Sequence, residues 1–364
     1  MEKKYQILEE LTSVSGLSGF EDRMISEMAG RFRKYTKQVE IDNLGNVTAT
    51  FNGVKSNKSL LIFAHMDEIG LMVTKVEPNG FLRFDRVGGV PEKTLRGQLV
   101  DVHSLDEKSF REGFVGTYAH HLTPADAKYV VPTTDQMYID IGCENASEVR
   151  EVGIDTGSAV TYRPNFRFMG KNHITSKALD NRIGCLLLLD LAEYLSHNTP
   201  RETIHLVASV QEEFNIRGNM PVFTRLEPDA SICLDITASC DVPDLKMKYN
   251  IELGSGPAIL HMNFHGRGTL AGLIPNPKLR QFIEHKAEEL GIHFQREVII
   301  GEITDDAFTF VLGKHGCAMA HLSIPLRYTH SPVETADKRD IQNAMNLLHK
   351  IVLDFDSDLD LSRG

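Results

Sequence analysis

The chain has 364 residues and a formal net charge of −11, from 39 Lys and Arg against 50 Asp and Glu. With 41% hydrophobic and 24% charged residues, the composition is that of a globular protein of about two domains, and it excludes a disordered chain. No apolar run approaches the roughly 20 residues that span a bilayer, and the sequence has no basic cluster, so neither membrane insertion nor sequence-independent nucleic-acid binding is expected.

The N-terminal residues and the cysteines predict a soluble, cytoplasmic protein. The opening stretch MEKKYQILEELTSVSG is acidic and helix-like, and it lacks the apolar core and cleavage site of a signal peptide. Five cysteines are spread along the chain without a Cys-x-x-Cys pair, which is typical of reduced thiols rather than of a disulfide framework. A catalytic thiol and a cysteine-rich zinc site are therefore disfavoured.

The first part of the chain is predicted to combine helices and strands. Ser18 and Glu21 have the spacing of a capping box, which predicts that a second helix begins at Ser18. The apolar run at residues 59–64 is typical of a strand buried on both faces of a parallel sheet. The predicted elements are helices ending at Gly16 and near Tyr35, and strands at 39–41, 46–51 and 59–64.

The middle of the chain, residues 69–165, has a different texture. Short β-rich runs alternate with turns, and few segments show a helical period. We therefore predict a small all-β domain inserted into a larger one. The larger domain is then discontinuous and consists of residues 1–68 and 166–364.

Helices and strands alternate again in the last part of the chain. This alternation predicts an α/β fold with a mainly parallel sheet and helices on both faces. The predicted elements are helices at 180–196, 276–290, 305–312 and 337–355, and strands at 203–210, 230–236, 294–299 and 317–324.

Ionisable side chains of metal-ligand type cluster just past the predicted strands. Ligands of open α/β sheets bind outside the carboxyl ends of the strands, so these positions are expected to lie close together. Asp180 stands in the same way at the start of a predicted helix. The residues at these ends are His65, Asp67, Glu212, Glu213, Asp235 and His330.

Each of these residues has an ordinary structural alternative. His65 and Asp67 could form a loop hydrogen bond, Asp180 could cap a helix, and His330 could belong to a turn. Glu212 and Glu213 could be solvated surface charges. These alternatives cannot all hold together, because they would leave several carboxylates converging unpaired on one cleft, and a cation relieves that repulsion.

The ligand types also indicate which cations the site takes. Two imidazoles and three carboxylates without a thiolate suit zinc, cobalt or manganese. A carboxylate able to bridge, with ligands enough for two ions, is typical of two-metal hydrolases. Because side chains alternate along an extended segment, one of Glu212 and Glu213 can bind metal while the other accepts a proton. The same alternation lets Asp67 orient the ring of His65.

Five short segments resemble the signature segments of one family, the tetrahedral (TET), glutamyl and deblocking aminopeptidases, some of them labelled FrvX-like or formerly endoglucanase-like. The resemblance extends in order over nearly the whole chain and includes the β-rich insertion. The segments are AHMDEIG at 64–70, ALDNR at 178–182, QEE at 211–213, LD at 234–235 and YTHSPVE at 328–334.

The resemblance implies a role for each residue. Asp180 would bridge two metals, His65 and Asp235 would complete one site, and Glu213 and His330 the other. Glu212 would be the general base, and Asp67 would tune His65. It also implies a three-layer α/β sandwich, dimers formed through the inserted β domain, and six dimers assembled into a hollow dodecamer.

The sequence departs from the family beside the predicted cleft. Residues 214–218 read FNIRG where relatives usually carry a VGLRG-like turn, and residues between Asp235 and Pro243 are also altered. These changes leave the preferred side chain of the substrate open.

The expected reaction is removal of the N-terminal residue from short peptides by a metal-activated water. Another metal-dependent amidase, such as a deacylase, would use the same site. A glycosidase would need only two carboxylates and usually lines its cleft with aromatic residues, and this chain has no Trp. A non-catalytic assembly protein with structural metals is the remaining alternative.

Overall fold

The structure, a computed structural model, describes residues 3–245, 248–264, 272–301 and 316–363. Within them a mixed α/β body with one large sheet carries a separate small β-barrel. The described helices are α1 (Lys3–Ser13), α2 (Asp22–Phe32), α3 (Ala146–Glu151), α4 (Leu179–His197), α5 (Asn219–Leu226), α6 (Pro277–Glu289) and α7 (Lys338–Asp354). None of these helices is long and apolar enough to cross a membrane.

The described strands divide between the sheet and the barrel. In chain order they are β1 (Val39–Ile41), β2 (Val47–Phe51), β3 (Ser59–His65), β4 (Gly70–Val76), β5 (Leu82–Val87), β6 (Leu99–His103), β7 (Phe110–Val115), β8 (Ile139–Asp140), β9 (Ala159–Tyr162), β10 (Arg167–Met169), β11 (His173–Ser176), β12 (Thr203–Ser209), β13 (Ala230–Ala238), β14 (Ala258–Phe264), β15 (Gly272–Leu273), β16 (Gln295–Ile300), β17 (Ala318–Arg327) and β18 (Glu334–Asp337).

Four parallel strands form the centre of the large sheet. They lie in the order β12, β3, β13 and β17, and every neighbouring pair among them is parallel. Their carboxyl ends therefore lie along one edge of the sheet. Antiparallel strands flank this centre, with β2 and β1 beside β12, and β18, β11 and β10 beyond β17.

The central strand β3 is covered on both faces, as its sequence predicts. Leu60 and Ile62 pack in the main core, which also contains apolar residues of α1, α4 and α7. Leu61 and Phe63 point the other way, into a second cluster with residues of α5, where the rings of Phe63 and Phe223 meet edge to face at 5.4 Å. Burial of alternate side chains on both faces holds the sheet edge that carries the candidate site.

The β-barrel is formed by β4 to β9, all of which lie in the described part of the chain. Its strands close in the order β4, β5, β8, β7, β6 and β9, and the barrel has an apolar core of its own. This confirms that the β-rich segment folds as a separate small all-β unit. The exact division of the chain at residues 68–69 and 165–166 stays a prediction.

Several sequence predictions are wrong in detail. The sheet is mixed rather than mainly parallel, because short connections such as the one between β1 and β2 produce antiparallel neighbours. The second helix begins at Asp22, and no side chain caps it. Two helices of the structure, α3 and α5, are not among the predicted elements. The helix predicted at 305–312 lies outside the described residues.

A fully buried arginine joins α4 to the end of α1. Arg182 is 0% exposed, and its guanidinium donates to Leu11 O at 2.7 Å and to Val14 O at 3.1 Å. These carbonyls lie at the C-terminal end of α1, where the last carbonyls of a helix lack N–H donors from a following turn. Glu68 lies 3.6 Å from the same guanidinium and also forms an ion pair with Lys177 at 2.6 Å, so one buried carboxylate faces two buried cations.

Removing this arginine is expected to destabilise the fold. Arg182→Met should lower the free energy of unfolding by about 1–3 kcal/mol, because the carbonyls of Leu11 and Val14 lose a buried charged donor while Glu68 keeps its ion pair with Lys177. The measurement is urea denaturation of the variant and of Arg33→Met, which changes an exposed arginine. Equal stability of the two variants would contradict the role given to Arg182.

Candidate metal centre

All seven residues singled out in the sequence lie at the carboxyl edge of the parallel strands. His65 ends β3, and Glu212 and Glu213 follow β12 by a few residues. His330 follows β17, and Asp180 lies in the first turn of α4. Asp235 is inside β13 rather than after it, because that strand continues to Ala238.

Two triads of possible metal ligands share one carboxylate. In each triad the ligand atoms lie within 4.8 Å of one another. His65 Nε2 is 3.1 Å from Asp180 Oδ1, and His330 Nε2 is 3.5 Å from Asp180 Oδ2. Asp180 therefore presents one oxygen to each triad, which is the geometry of a bridging carboxylate.

The remaining members complete the two triads. Asp235 Oδ1 lies 3.7 Å from His65 Nε2, and Glu213 Oε1 lies 3.4 Å from His330 Nε2. Glu212 belongs to neither triad, although its Oε2 is 3.9 Å from His65 Nε2. The two neighbouring glutamates thus face different imidazoles. They lie in a bend, however, and not in the extended segment that the sequence predicts.

The other nitrogen of each imidazole faces an oxygen. His330 Nδ1 is 3.0 Å from the carbonyl oxygen of Gly89, in the segment after β5, and forms a hydrogen bond with it. His65 Nδ1 lies 3.4 Å from Asp67 Oδ1, close enough for attraction between charges but without hydrogen-bond geometry. With Nδ1 of His330 protonated and donating, its Nε2 keeps its lone pair for a cation. The sequence predicts that Asp67 lies beside His65, but it does not predict the partner of His330.

Asp67 also holds the loop that carries the two glutamates. Its carboxylate accepts the backbone N–H groups of Glu212 at 3.1 Å and Glu213 at 3.0 Å, and it accepts a short hydrogen bond from Ser18 Oγ. This explains why Ser18 does not cap the second helix. Its hydroxyl is used by the site instead.

The electrostatics of the cluster favour positive charge. Burial lowers the pKa of His65, but Glu212 and Asp180 outweigh it and raise that pKa well above its usual value. The negative charge of Glu213 likewise raises the pKa of His330 well above its usual value. Burial raises the pKa of Glu213 to about 7, since an isolated buried carboxylate resists ionisation. Cations placed at the two Nε2 atoms would satisfy this field.

The donor set fits divalent cations. Both triads combine one imidazole with two carboxylates, and in each the imidazole points Nε2 at the shared carboxylate. Such mixed nitrogen and oxygen ligands suit zinc, cobalt and manganese. The described residues therefore form two adjoining groups of candidate ligands that share Asp180.

A cavity of about 640 Å³ opens over the triads. Phe214 and Asn215, in the segment where the sequence departs from the family, line it. Asn215 has φ 69°, a left-handed conformation that Gly adopts freely and Asn tolerates. Asn215 is therefore compatible with this left-handed position, and Phe214 places an aromatic ring beside the cavity.

Similarity to known proteins agrees with this geometry. The family model described as M42 glutamyl aminopeptidase matches residues 45–347. SgcX of Escherichia coli (strain K12), provisionally named an aminopeptidase, is 42% identical over 335 residues, which cover 92% of this chain and 89% of SgcX. A lysyl aminopeptidase of Pyrococcus furiosus is 33% identical over 345 residues, with 94% of this chain and 95% of that protein covered.

A solved structure extends the likeness to the fold. The Pyrococcus horikoshii TET1 peptidase, described as able to assemble into a tetrahedron or a large octahedral shell, aligns with a TM-score of 0.85 at 25% identity. The alignment covers 97% of this chain and 100% of that chain. Fold and sequence together define a peptidase. The chain belongs to the M42 peptidase family, and it is a metal-dependent aminopeptidase.

The contact between Gly89 and His330 can be tested by adding one methyl group. In Gly89→Ala the new Cβ would lie 2.6 Å from His330 Nδ1, so the ring must move. We expect cation affinity to fall by about 10–100-fold, the usual cost of disturbing the partner of a ligating histidine. Calorimetric titration of zinc into dialysed protein measures it.

Gly30→Ala is the matched control for this substitution. An added Cβ at Gly30 has nothing within 4 Å, and the residue lies in α2, where Ala is favoured over Gly. Its zinc affinity should be unchanged. Equal affinity of the two variants would show that the Gly89 carbonyl does not orient His330.

Proposed function

We propose that this chain removes the N-terminal residue from short peptides, with two divalent cations held at the shared carboxylate and with Glu212 as general base. One observation carries the proposal. The two oxygens of Asp180 face two different imidazoles, at 3.1 Å and 3.5 Å, so one residue can serve two cations at once.

Five residues would hold the cations. His65 and Asp235 would complete one site, Glu213 and His330 the other, and Asp180 would belong to both. Zinc or cobalt suits these ligands best, and manganese is the third choice. When bound, the pair of ions supplies Lewis-acid activation of a water molecule and of the scissile carbonyl.

Glu212 is placed to move the proton. Its carboxylate lies beside the triads, belongs to neither of them, and lines the cavity where the substrate would bind. It would accept a proton from the attacking water and return it to the departing amine. General acid–base transfer of this kind contributes about 10²–10⁴ in rate.

Asp67 would act through other residues. Its carboxylate lies 3.4 Å from His65 Nδ1 and would attract that ring, and its hydrogen bonds to the backbone of residues 212 and 213 would hold the base relative to the ligands. It is completely buried, so its carboxylate is held in one position.

We further propose a division of labour between the two parts of the chain. Residues 1–68 and 166–364 would form a three-layer α/β sandwich that carries the chemistry, and residues 69–165 a dimerisation domain. The loop between β7 and β8 of the barrel exposes several large apolar side chains, which supports docking of a second copy of the chain. The exposed side chains include Tyr118, Leu122, Tyr129 and Val130.

Assembly beyond the dimer and the cellular compartment are proposed on different grounds. Six dimers would form a dodecamer, as the tetrahedral assembly described for the Pyrococcus horikoshii TET1 peptidase supports.

A cytoplasmic location is supported by the five cysteines, all of which are free thiols.

A substrate panel separates this proposal from its alternatives. Aminoacyl substrates and short peptides with a free N-terminus should be cleaved, whereas N-acylated amino acids test for a deacylase and a cellulose derivative tests for a glycosidase. Hydrolysis of the acylated substrates alone would overturn the peptidase proposal. The same panel reports the preferred side chain.

Replacing the base should stop the reaction without emptying the site. Glu212→Gln is expected to lower kcat by about 10²–10⁴, because the amide cannot accept the proton. Elemental analysis of the dialysed variant should give the same metal content as the parent. Glu144→Gln, on the surface of the barrel, is the control. Near-normal turnover of Glu212→Gln would rule out its role as base.

Metal removal should separate the shared ligand from the unshared ones. A chelator is expected to abolish activity, and added zinc, cobalt or manganese to restore it. Asp180→Ala should lose both ions, whereas Asp235→Ala and His330→Ala should each weaken one site and leave metal in the other. Elemental analysis after dialysis measures the content. Full metal retention by Asp180→Ala would contradict a bridging role.

A further inference from the structure

A buried glutamate that is not a candidate ligand contacts two residues that are. Glu334 is 2% exposed, and it belongs to neither triad of the described residues. Its Oε1 accepts the backbone N–H of His330 at 2.8 Å, and its Oε2 accepts the backbone N–H of Asp180 at 3.0 Å. One carboxylate thus joins the main chain of the shared ligand to that of a second ligand.

The backbone of Glu334 is fixed by the sheet. It opens β18, which lies between β11 and β17, and it pairs with Ser176 of β11. The hydroxyl of Thr175 also donates to the Glu334 carbonyl at 2.8 Å. Because this strand is paired on both sides, the carboxylate is a rigid reference point for the two loops that it contacts.

One of the two contacted residues has an unusual main-chain conformation. His330 has φ 59°, in the left-handed region that side-chain-bearing residues rarely adopt, and such a conformation persists only where surrounding contacts hold it. Asp180 lies in the first turn of α4, where the N–H groups of a helix have no acceptor within the helix. The carboxyl group of Glu334 supplies an acceptor for both N–H groups.

We propose that Glu334 is a positioning residue that holds the shared ligand Asp180 and the ligand His330 in place relative to each other by accepting both of their main-chain N–H groups. The inference rests on the proposed function, since it assumes that these two residues bind cations. The side chains of both residues extend from the held backbone toward each other, with Nε2 and Oδ2 3.5 Å apart. A change at Glu334 should therefore act on the cations without touching the substrate.

The test is a nearly isosteric substitution. Glu334→Gln keeps the volume but places an amide NH₂ against one of the two N–H groups, so one hydrogen bond is lost. We expect the affinity for cobalt to fall by about 10–100-fold and kcat to fall by a similar factor, with KM little changed. The visible absorption of the cobalt-loaded protein should also change, because its coordination geometry would differ.

The same strand offers a matched control. Asp337 is fully buried, ends β18 and accepts the backbone N–H of Arg339 at 2.8 Å, at the start of α7 and away from the triads. Asp337→Asn is expected to keep the cobalt affinity, the absorption spectrum and kcat of the parent. Any loss common to both variants would be a property of the strand and not of the cation site.

The outcomes separate this inference from the proposed function. Parental cobalt affinity, spectrum and kcat in Glu334→Gln would overturn the inference. An altered cobalt spectrum in the variant, with no peptide cleavage by the parent itself, would keep the inference and overturn the function. Glu334→Asp, which retains the carboxyl group on a shorter side chain, is measured in parallel. Loss of folding in both variants would overturn the inference, because the fold rather than the cation site would then require Glu334.

Discussion

Mutual repulsion among buried carboxylates is the constraint on which this site depends. Asp180, Glu213 and Asp235 converge at one edge of the sheet and are nearly inaccessible to water, where an uncompensated charge is costly. The two imidazoles offset part of this negative charge, and cations bound by the triads would offset the rest. The parallel strands bring the ligands together, and positive charge at the imidazoles and at bound cations would offset the repulsion between the carboxylates.

A second set of carboxylates holds the loops on which the ligands lie. Asp67 accepts two backbone N–H groups of the loop after β12, Glu21 accepts the N–H of Gln211 at 3.1 Å, and Glu334 accepts those of two ligands. Strands have ended at these points, so the N–H groups lack a ladder partner and need another acceptor. Acidic side chains meet this need.

Much of this arrangement can be predicted from the sequence, because the positions of the ligands depend on where the strands end. Apolar runs followed by His65, by Glu212 and Glu213, and by His330 predict where the chemistry lies without any contact being known. Other features leave no such signal. The partner of His330 is a backbone carbonyl of Gly89, which has no side chain to notice, and Ser18 has the spacing of a helix cap while its hydroxyl bonds to a residue of a distant loop. The antiparallel strands at the two sides of the sheet result from short connections, and the apolar pattern of the strands does not indicate strand direction.

The carbonyl of Gly89 has a consequence for how such chains diverge. It belongs to the connection between β5 and β6 of the barrel, yet it contacts a ring that follows β17 of the large sheet. Loops of a small appended unit are ordinarily free to be shortened, lengthened or exchanged between relatives, because they contact nothing outside that unit. Here one such loop orients a candidate ligand, so an exchanged barrel would have to keep this contact. Variation among relatives should therefore accumulate in the barrel loops that face away from the large sheet and be sparse in the connection between β5 and β6.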